Sequence, residues 1–499
     1  MPIFARPLVV VAAASYLLAV LLVGFWAARR TRTARDFWIA GQRIGLWITG
    51  IAATSAAFSG FVFIGGPGLM YSIGLASVLI VAPAGFTSAL HCWLVAKRLR
   101  LLSEVREIYT IPDAILCRYG SRVASGTAAV AVLVGTVAYL GSQFLALGRL
   151  LESVFGTREL FGEASLYVAM AIGVAIVLLY SVLGGMVAGV YTDLLQGGLM
   201  SVAAVVVFFH AISVSGGVER AVTSIAASPR FGPGFLDPLG TAPVLTALGF
   251  VFVFGTGTLG QPHVLHKFFM LDDPLKLKWM PLLMAGSQSV CLLIWLGVGL
   301  AVPALVSQGL LSPLSQPDDA APTFLLELTP PVVTGLVLAG LLAAIMSTAD
   351  SFVNIGSAAL VRDIPNALGL RVSRELLFAR IAVLAVSGLA VSLALSYGDL
   401  VALLGTFAFG TFGAALAPVL AVGLNWKRVT AKAATCAMAT GIAANITFEI
   451  LSRRGVLLFA PGVLPTAVAT AASFTMLFVV SFLTRARELD RDVAAVMDA

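Results

Sequence analysis

Three residues in the run Ala343-Ala344-Ile345-Met346-Ser347-Thr348-Ala349-Asp350-Ser351 are spaced to hold a cation. Ala344, Ser347 and Thr348 stand at i, i+3 and i+4, so in a helix they share one face. Hard cations take oxygen ligands: hydroxyls, carbonyls and carboxylates. Ser347 and Thr348 offer hydroxyls. Ala344 offers only its carbonyl, which is released where the helix opens or where a Ser or Thr competes for its hydrogen bond. The same hydroxyl pair also suits hydrogen bonding between helices in an apolar medium, and spacing alone leaves both readings open. Asp350 follows this pair, and Asp193 opens another apolar run. An ionisable group within a membrane segment is a functional candidate. Asp193 also suits a helix cap after Gly184-Gly185 or a structural pairing, and Asp350 also suits pairing with a cytoplasmic Arg.

Other chemistries find no footing. No two of the four histidines, His91, His210, His263 and His266, stand at zinc spacing on a polar face. The four cysteines are scattered without a C-x-x-C, so neither a disulfide framework nor a metal centre is expected. There is no G-x-x-x-x-G-K-[ST] string for a nucleotide, and no acid/base cluster that would make the chain an enzyme.

The elements that position these residues are membrane helices. Of 499 residues, 59% are hydrophobic and 11% charged, against about 25% charged in a soluble domain. Thirteen apolar spans follow one another, roughly at 8–28, 45–71, 73–96, 123–154, 163–183, 187–213, 241–268, 280–305, 330–360, 377–396, 400–423, 429–450 and 462–483. Each is long enough for a bilayer core of about 30 Å. The first leads into Arg29, Arg30, Arg32 and Arg35 and is expected to be a retained span rather than a cleaved signal. With the N-terminus outside, cytoplasmic segments hold 24 of the 31 Lys and Arg residues. The positive-inside rule therefore places the N-terminus outside and the C-terminus in the cytoplasm of a cell (inner) membrane. The net charge of +7 is orientation charge, and nucleic acid is not an expected partner.

Two spans are interrupted. The second has small residues from Ala53 to Gly60 at its middle, and the seventh has Gly255, Gly257, Gly260 and Pro262. Glycine and proline weaken a helix, and lipid tolerates open backbone only where it lines a cavity or lies buried in protein. Close packing explains one small-residue span. Two such spans, five apart and so crossing in opposite senses, fit inverted repeats with a site at the midplane. A channel would need a continuous pore instead.

The strings Asp36-Phe37-Trp38-Ile39-Ala40-Gly41, Phe63-Ile64-Gly65-Gly66-Pro67-Gly68, Gly184 to Gln196, Gly260-Gln261-Pro262-His263 and Ala343 to Ser351 together resemble the sodium/solute symporter family, over about residues 30–425. Parts are similar to its proline-carrying and pantothenate-carrying members. The resemblance implies an all-α membrane protein with a LeuT-type core of two inverted five-helix repeats, 45–213 and 214–423, flanked by 1–44 and by two extra spans and a short tail in 424–499. It implies sodium-coupled symport of a small organic solute, an amino acid or a monocarboxylate, with no obligatory protein partner. A proton-coupled symporter of the same fold is the alternative. A solute sensor is another, although only about sixteen residues follow the last span.

The resemblance also assigns residues. Aligned through Gly65 to Gly68, the family's sodium site falls on Ser55, Phe58, Ala344, Ser347 and Thr348. A second cation site, for sodium or a proton, would use Asp193, Asp350 and Ser351. The solute would sit beside both breaks, at Ala57, Ser59 and Gly60 in the first and Gly257 and Thr258 in the second. Alignment with the proline-carrying members puts their binding aromatics at Tyr139 and Phe254. Gln143, one turn beyond Tyr139, could add an amide, and His263 is expected to be structural. Two positions depart from the family: Ala57 replaces an aspartate and Thr258 an aromatic gate residue.

In a cysteine-free background, single cysteines near Arg98 and near Pro317 should react from opposite faces of the membrane. Reaction of both from outside would refute the topology.

Overall fold

The structure, a computed structural model, describes residues 7–397, 401–456 and 459–499. Among the described residues every regular element is helical, apart from one bridge between Ile44 and Leu271. In lipid a helix satisfies its own backbone, which an open sheet cannot do. The principal helices are α1 (Pro7–Ala28), α2 (Leu46–Ala57), α3 (Gly66–Ile73), α4 (Arg122–Phe155), α5 (Ser165–Val214), α6 (Val244–Gly257), α7 (Pro262–Phe269), α8 (Pro331–Ala358), α9 (Glu375–Tyr397), α10 (Val401–Ala417), α11 (Ala431–Arg453) and α12 (Pro465–Leu483).

Among the described residues, twelve helices are long and apolar enough to cross a membrane. The expected count of thirteen is not reached on that measure, which takes Phe61–Ile80 as one span and Leu46–Ala57 as a shorter apolar helix. Residues 74–80 wind as a 3-10 turn, and the helix from Ala84 to Val105 carries Lys97, Arg98, Arg100 and Glu104 in its second half.

Both interruptions are present, and both are narrower than the small-residue runs around them. Ala53 to Ala57 remain helical in α2, and the chain leaves the helix at Phe58 (φ −99°, ψ 101°). It re-enters through a π-helical turn, Phe61–Gly65, that runs into α3. The second break covers a 3-10 turn, Thr258–Gly260, and extended Gln261 (φ −75°, ψ 104°). Proline at the next position drives Gln261 out of the helical region, and Pro262 then starts α7, where its missing N–H costs nothing.

The fifth and sixth spans form one run, α5, folded at Gly185 (φ 53°, ψ −146°). A Cβ here would lie 2.5 Å from the Phe37 ring, so the turn needs glycine for both its backbone angle and its packing. The axis of the bundle is α8, buried almost along its whole length and packed against α1, α4 and α5. It therefore carries the Ser347-Thr348 pair into the protein interior, away from lipid.

Gly185→Ala should lower the stability of the purified protein by about 1–3 kcal/mol, the cost of a disfavoured backbone conformation. Gly198→Ala, in the same helix with open space around it, should leave stability unchanged or raise it by up to about 1 kcal/mol. Equal melting temperatures for the two variants would remove this account of the turn.

Candidate functional site

The last carbonyls of α2 lack helical partners because the chain departs at Phe58. Two hydroxyls from α8 reach them. Ser347 Oγ donates to the Ser55 carbonyl at 3.0 Å and Thr348 Oγ1 to the Ala56 carbonyl at 3.1 Å. Both hydroxyls also lie close to the Ala344 carbonyl, at 3.1 and 3.2 Å. Five oxygens thus converge in a fully buried region. Ser55, Ala344, Ser347 and Thr348 come together as expected from the sequence. Ala56 joins them, while Phe58 caps α2 and makes its backbone contact through its N–H to Thr54 at 3.0 Å. An all-oxygen set of carbonyls and hydroxyls suits a hard cation.

The two acids have partners that spacing did not reveal. Asp193 Oδ2 lies 2.6 Å from Lys267 Nζ, and both side chains are fully buried. Asp350 Oδ1 accepts from Ser181 Oγ and, at 3.1 Å, from Asn354 Nδ2. Asp193 is therefore neither an interfacial cap nor bare, and Asp350 pairs with amide and hydroxyl rather than with an Arg. Asp193 Oδ1, Asp350 Oδ2 and Ser351 Oγ have no hydrogen-bond partner. Lys267 stands within the expected seventh span, so its position inside an apolar run was a signal open to the sequence.

Beside the first break lies a cavity lined by Ala57, Phe58, Tyr139, Phe254, Thr258, His263 and others. Phe254 is stacked between Phe61 and Phe409, with centroids at 5.7 and 4.5 Å. Tyr139 stacks on Phe352 at 4.6 Å. Four of the expected solute residues, Ala57, Tyr139, Phe254 and Thr258, thus face one space.

The other four stand behind it. Ser59 Oγ accepts the Phe61 N–H at 3.1 Å and lies 3.3 Å from Tyr139 Oη. Gln143 Oε1 accepts the Gly60 N–H at 3.1 Å. Gly257 lets the Phe409 ring approach, since a Cβ there would be 2.7 Å from it. Gln143 and Ser59 are thus occupied with the unwound backbone.

Polar groups beyond the expected set also line the cavity. His91 Nε2 bonds the Thr258 carbonyl, tying the second break to the helix that starts at Ala84. Gln261 donates to the Gly257 and Phe409 carbonyls at 3.1 and 3.2 Å, leaving Oε1 without a partner. His263, expected to be structural, lies on the cavity wall with its ring 4.3 Å from Phe352 and Nδ1 unpartnered. Among the described residues that line this space there is no Asp, Glu, Lys or Arg.

Residues 37–441 match the model of the sodium:solute symporter family. The high-affinity proline transporter PutP of Bacillus subtilis is 30% identical, over 93% of this chain and 96% of its own. The osmoregulated proline transporter OpuE of the same organism is 28% identical, over 92% and 93%. A solved structure of a Na+-coupled sialic acid symporter, substrate-bound and outward-open, aligns with a TM-score of 0.79 at 19% identity, covering 97% of this chain and 99% of that one. It has the same fold, of the LeuT type.

If Gln143 serves the backbone, Gln143→Leu should lower stability by about 1–3 kcal/mol with no solute present, because it orphans the Gly60 N–H. Gln143→Glu, which keeps an acceptor, should recover most of that. Unchanged melting of the Leu variant would return the amide to the solute.

Proposed function

The chain belongs to the sodium:solute symporter family, and from that premise we propose how its residues divide the work. It is a membrane protein that couples the movement of a small organic solute to sodium. Sodium would be held by the carbonyls of Ser55, Ala56 and Ala344 and the hydroxyls of Ser347 and Thr348. The solute would occupy the cavity walled by Ala57, Tyr139, Phe254 and Thr258.

The observation that carries this reading is the sharing of one short segment. Ser55 and Ala56 present carbonyls to α8, and the next two residues, Ala57 and Phe58, line the cavity. Ion and solute therefore act on the same end of α2. With the hydroxyl protons on the carbonyls, hydrogen bonds hold α2 to α8. A cation takes over that attraction once the hydroxyls rotate their protons away. Each ligand fixes the break for the other, which is a coupling free energy between two sites.

The lining carries neither formal charge, and Ala57 offers no counter-ion to an ammonium. Recognition would rest on the aromatic wall, on the polar atoms of His263 and Gln261, and on backbone exposed at the breaks. We place the amino end outside and the carboxyl end in the cytoplasm, with 45–213 and 214–423 as the two inverted halves. L-Proline is the first solute to test, since PutP and OpuE are named for it. Monocarboxylates are the second, because they do not need the missing acid.

In proteoliposomes, labelled L-proline or a monocarboxylate should accumulate under an inward sodium gradient and not under potassium alone. Accumulation that ignores sodium would overturn the reading. Ser347→Ala and Thr348→Ala should each raise the sodium concentration for half-maximal uptake roughly 5- to 150-fold, the equivalent of about 1–3 kcal/mol for a lost buried polar partner. Unchanged sodium dependence in both would put the ion elsewhere.

A further inference from the structure

A second buried cluster lies one turn past the Ser347-Thr348 pair. Asp350 on α8 faces α5, where Gly189 gives room for its carboxylate: a Cβ at Gly189 would lie 2.4 Å from Oδ2. Asp193 stands one turn further along α5. Asp193 Oδ1, Asp350 Oδ2, Ser351 Oγ, Gln196 Oε1 and Asn354 Oδ1 are all buried and unpartnered. Unsatisfied oxygens of this kind, two of them carboxylate, describe a place for a cation.

One of the two carboxylates, through its other oxygen, already holds a cation. Lys267 Nζ lies 2.6 Å from Asp193 Oδ2, with both side chains fully buried. Lys267 comes from α7, which packs against α2 and α8. An ammonium is a compact point charge with three donors, close in its demands to a small monovalent ion. Leaving Asp193 without it would strand a charge in the interior, which is strongly unfavourable.

We propose that the Lys267 ammonium is the resident second cation of this protein, tethered to α7 and seated on Asp193 between α5 and α8, so that only one sodium binds per chain. The tether makes the charge permanent. It moves with the second broken helix and never leaves the protein, so it adds nothing to the ion gradient's driving force. A sodium in the same place would be released on each cycle and would double the coupling. The inference rests on the sodium site proposed above at Ser347 and Thr348, and it adds the number of ions.

Sodium alone is the probe. Radioactive sodium binding to the purified full chain, with choline as the balancing salt, should saturate at one ion per chain. Ser347→Ala/Thr348→Ala should abolish it. Lys267→Met should bind two ions, and Lys267→Met/Asp193→Asn should return to one. Lys267→Arg, which keeps a cation on the tether, should stay at one. Two ions in the unaltered protein, or one in a folded Lys267→Met, would overturn the inference while leaving the first sodium site intact. If Lys267→Met fails to fold, Lys267→Gln gives the same comparison, and the count in the unaltered chain still decides. No bound sodium in the unaltered chain would refute the first site and this inference together.

Discussion

Backbone that leaves a helix inside a bilayer has to find hydrogen-bond partners within the protein, and the architecture follows from where those partners are. At the first break the orphaned carbonyls of α2 meet the hydroxyls of Ser347 and Thr348, and the freed N–H of Gly60 meets Gln143. At the second, Gln261 and His91 take the carbonyls of Gly257 and Thr258. Each break is thereby fastened to helices far away in sequence. α8 lies at the centre because it must reach α2, and α4 lies beside it because it carries Tyr139 and Gln143.

These fastenings are weak one by one, which suits a protein that must change shape. A neutral hydrogen bond contributes about 0.5–1.5 kcal/mol net. The Ser347 and Thr348 hydroxyls have more than one acceptor within reach, so their protons can be redirected without breaking the packing around them. The aromatic wall behaves differently. Phe61, Phe254 and Phe409 stack in series across both breaks, so a shift of one half-helix changes the cavity directly. Under the proposed assignment, an ion at Ser55 and Ala56 and a solute at Ala57 and Phe58 would bias the same short piece of chain.

The buried ion pair is the stiffest feature near the site. Asp193 and Lys267 join α5 to α7 with charge–charge attraction in a dry environment, where separating them is far costlier than losing a neutral contact. Two kinds of link therefore hold the second half of the broken helix: a neutral one at Gln261 and His91, and a charged one at Lys267. The neutral end is next to the cavity, and the charged end is remote from it.

Length of apolar runs, placement of basic residues and the two small-residue interruptions determined, from sequence, a helical membrane protein with opposed broken helices. The i, i+3, i+4 spacing determined that Ala344, Ser347 and Thr348 share a face, because helical periodicity is local. The family strings supplied Ser55 and Tyr139. Spacing could not say which way a side chain turns. Gln143 faces the Gly60 backbone and not the cavity, and His263 faces the cavity, because both are set by helices that meet only in three dimensions. The expected span over 73–96 is likewise not one straight α-helix: it starts as a 3-10 turn at 74–80 and its helix runs on into the charged residues at 97–104. Lys267 stands one residue before the end of the expected seventh span. Only the tertiary fold, which brings Lys267 on α7 to Asp193 on α5, decided that its charge is buried there, since the free energy of a buried charge depends on the partner that the fold brings to it.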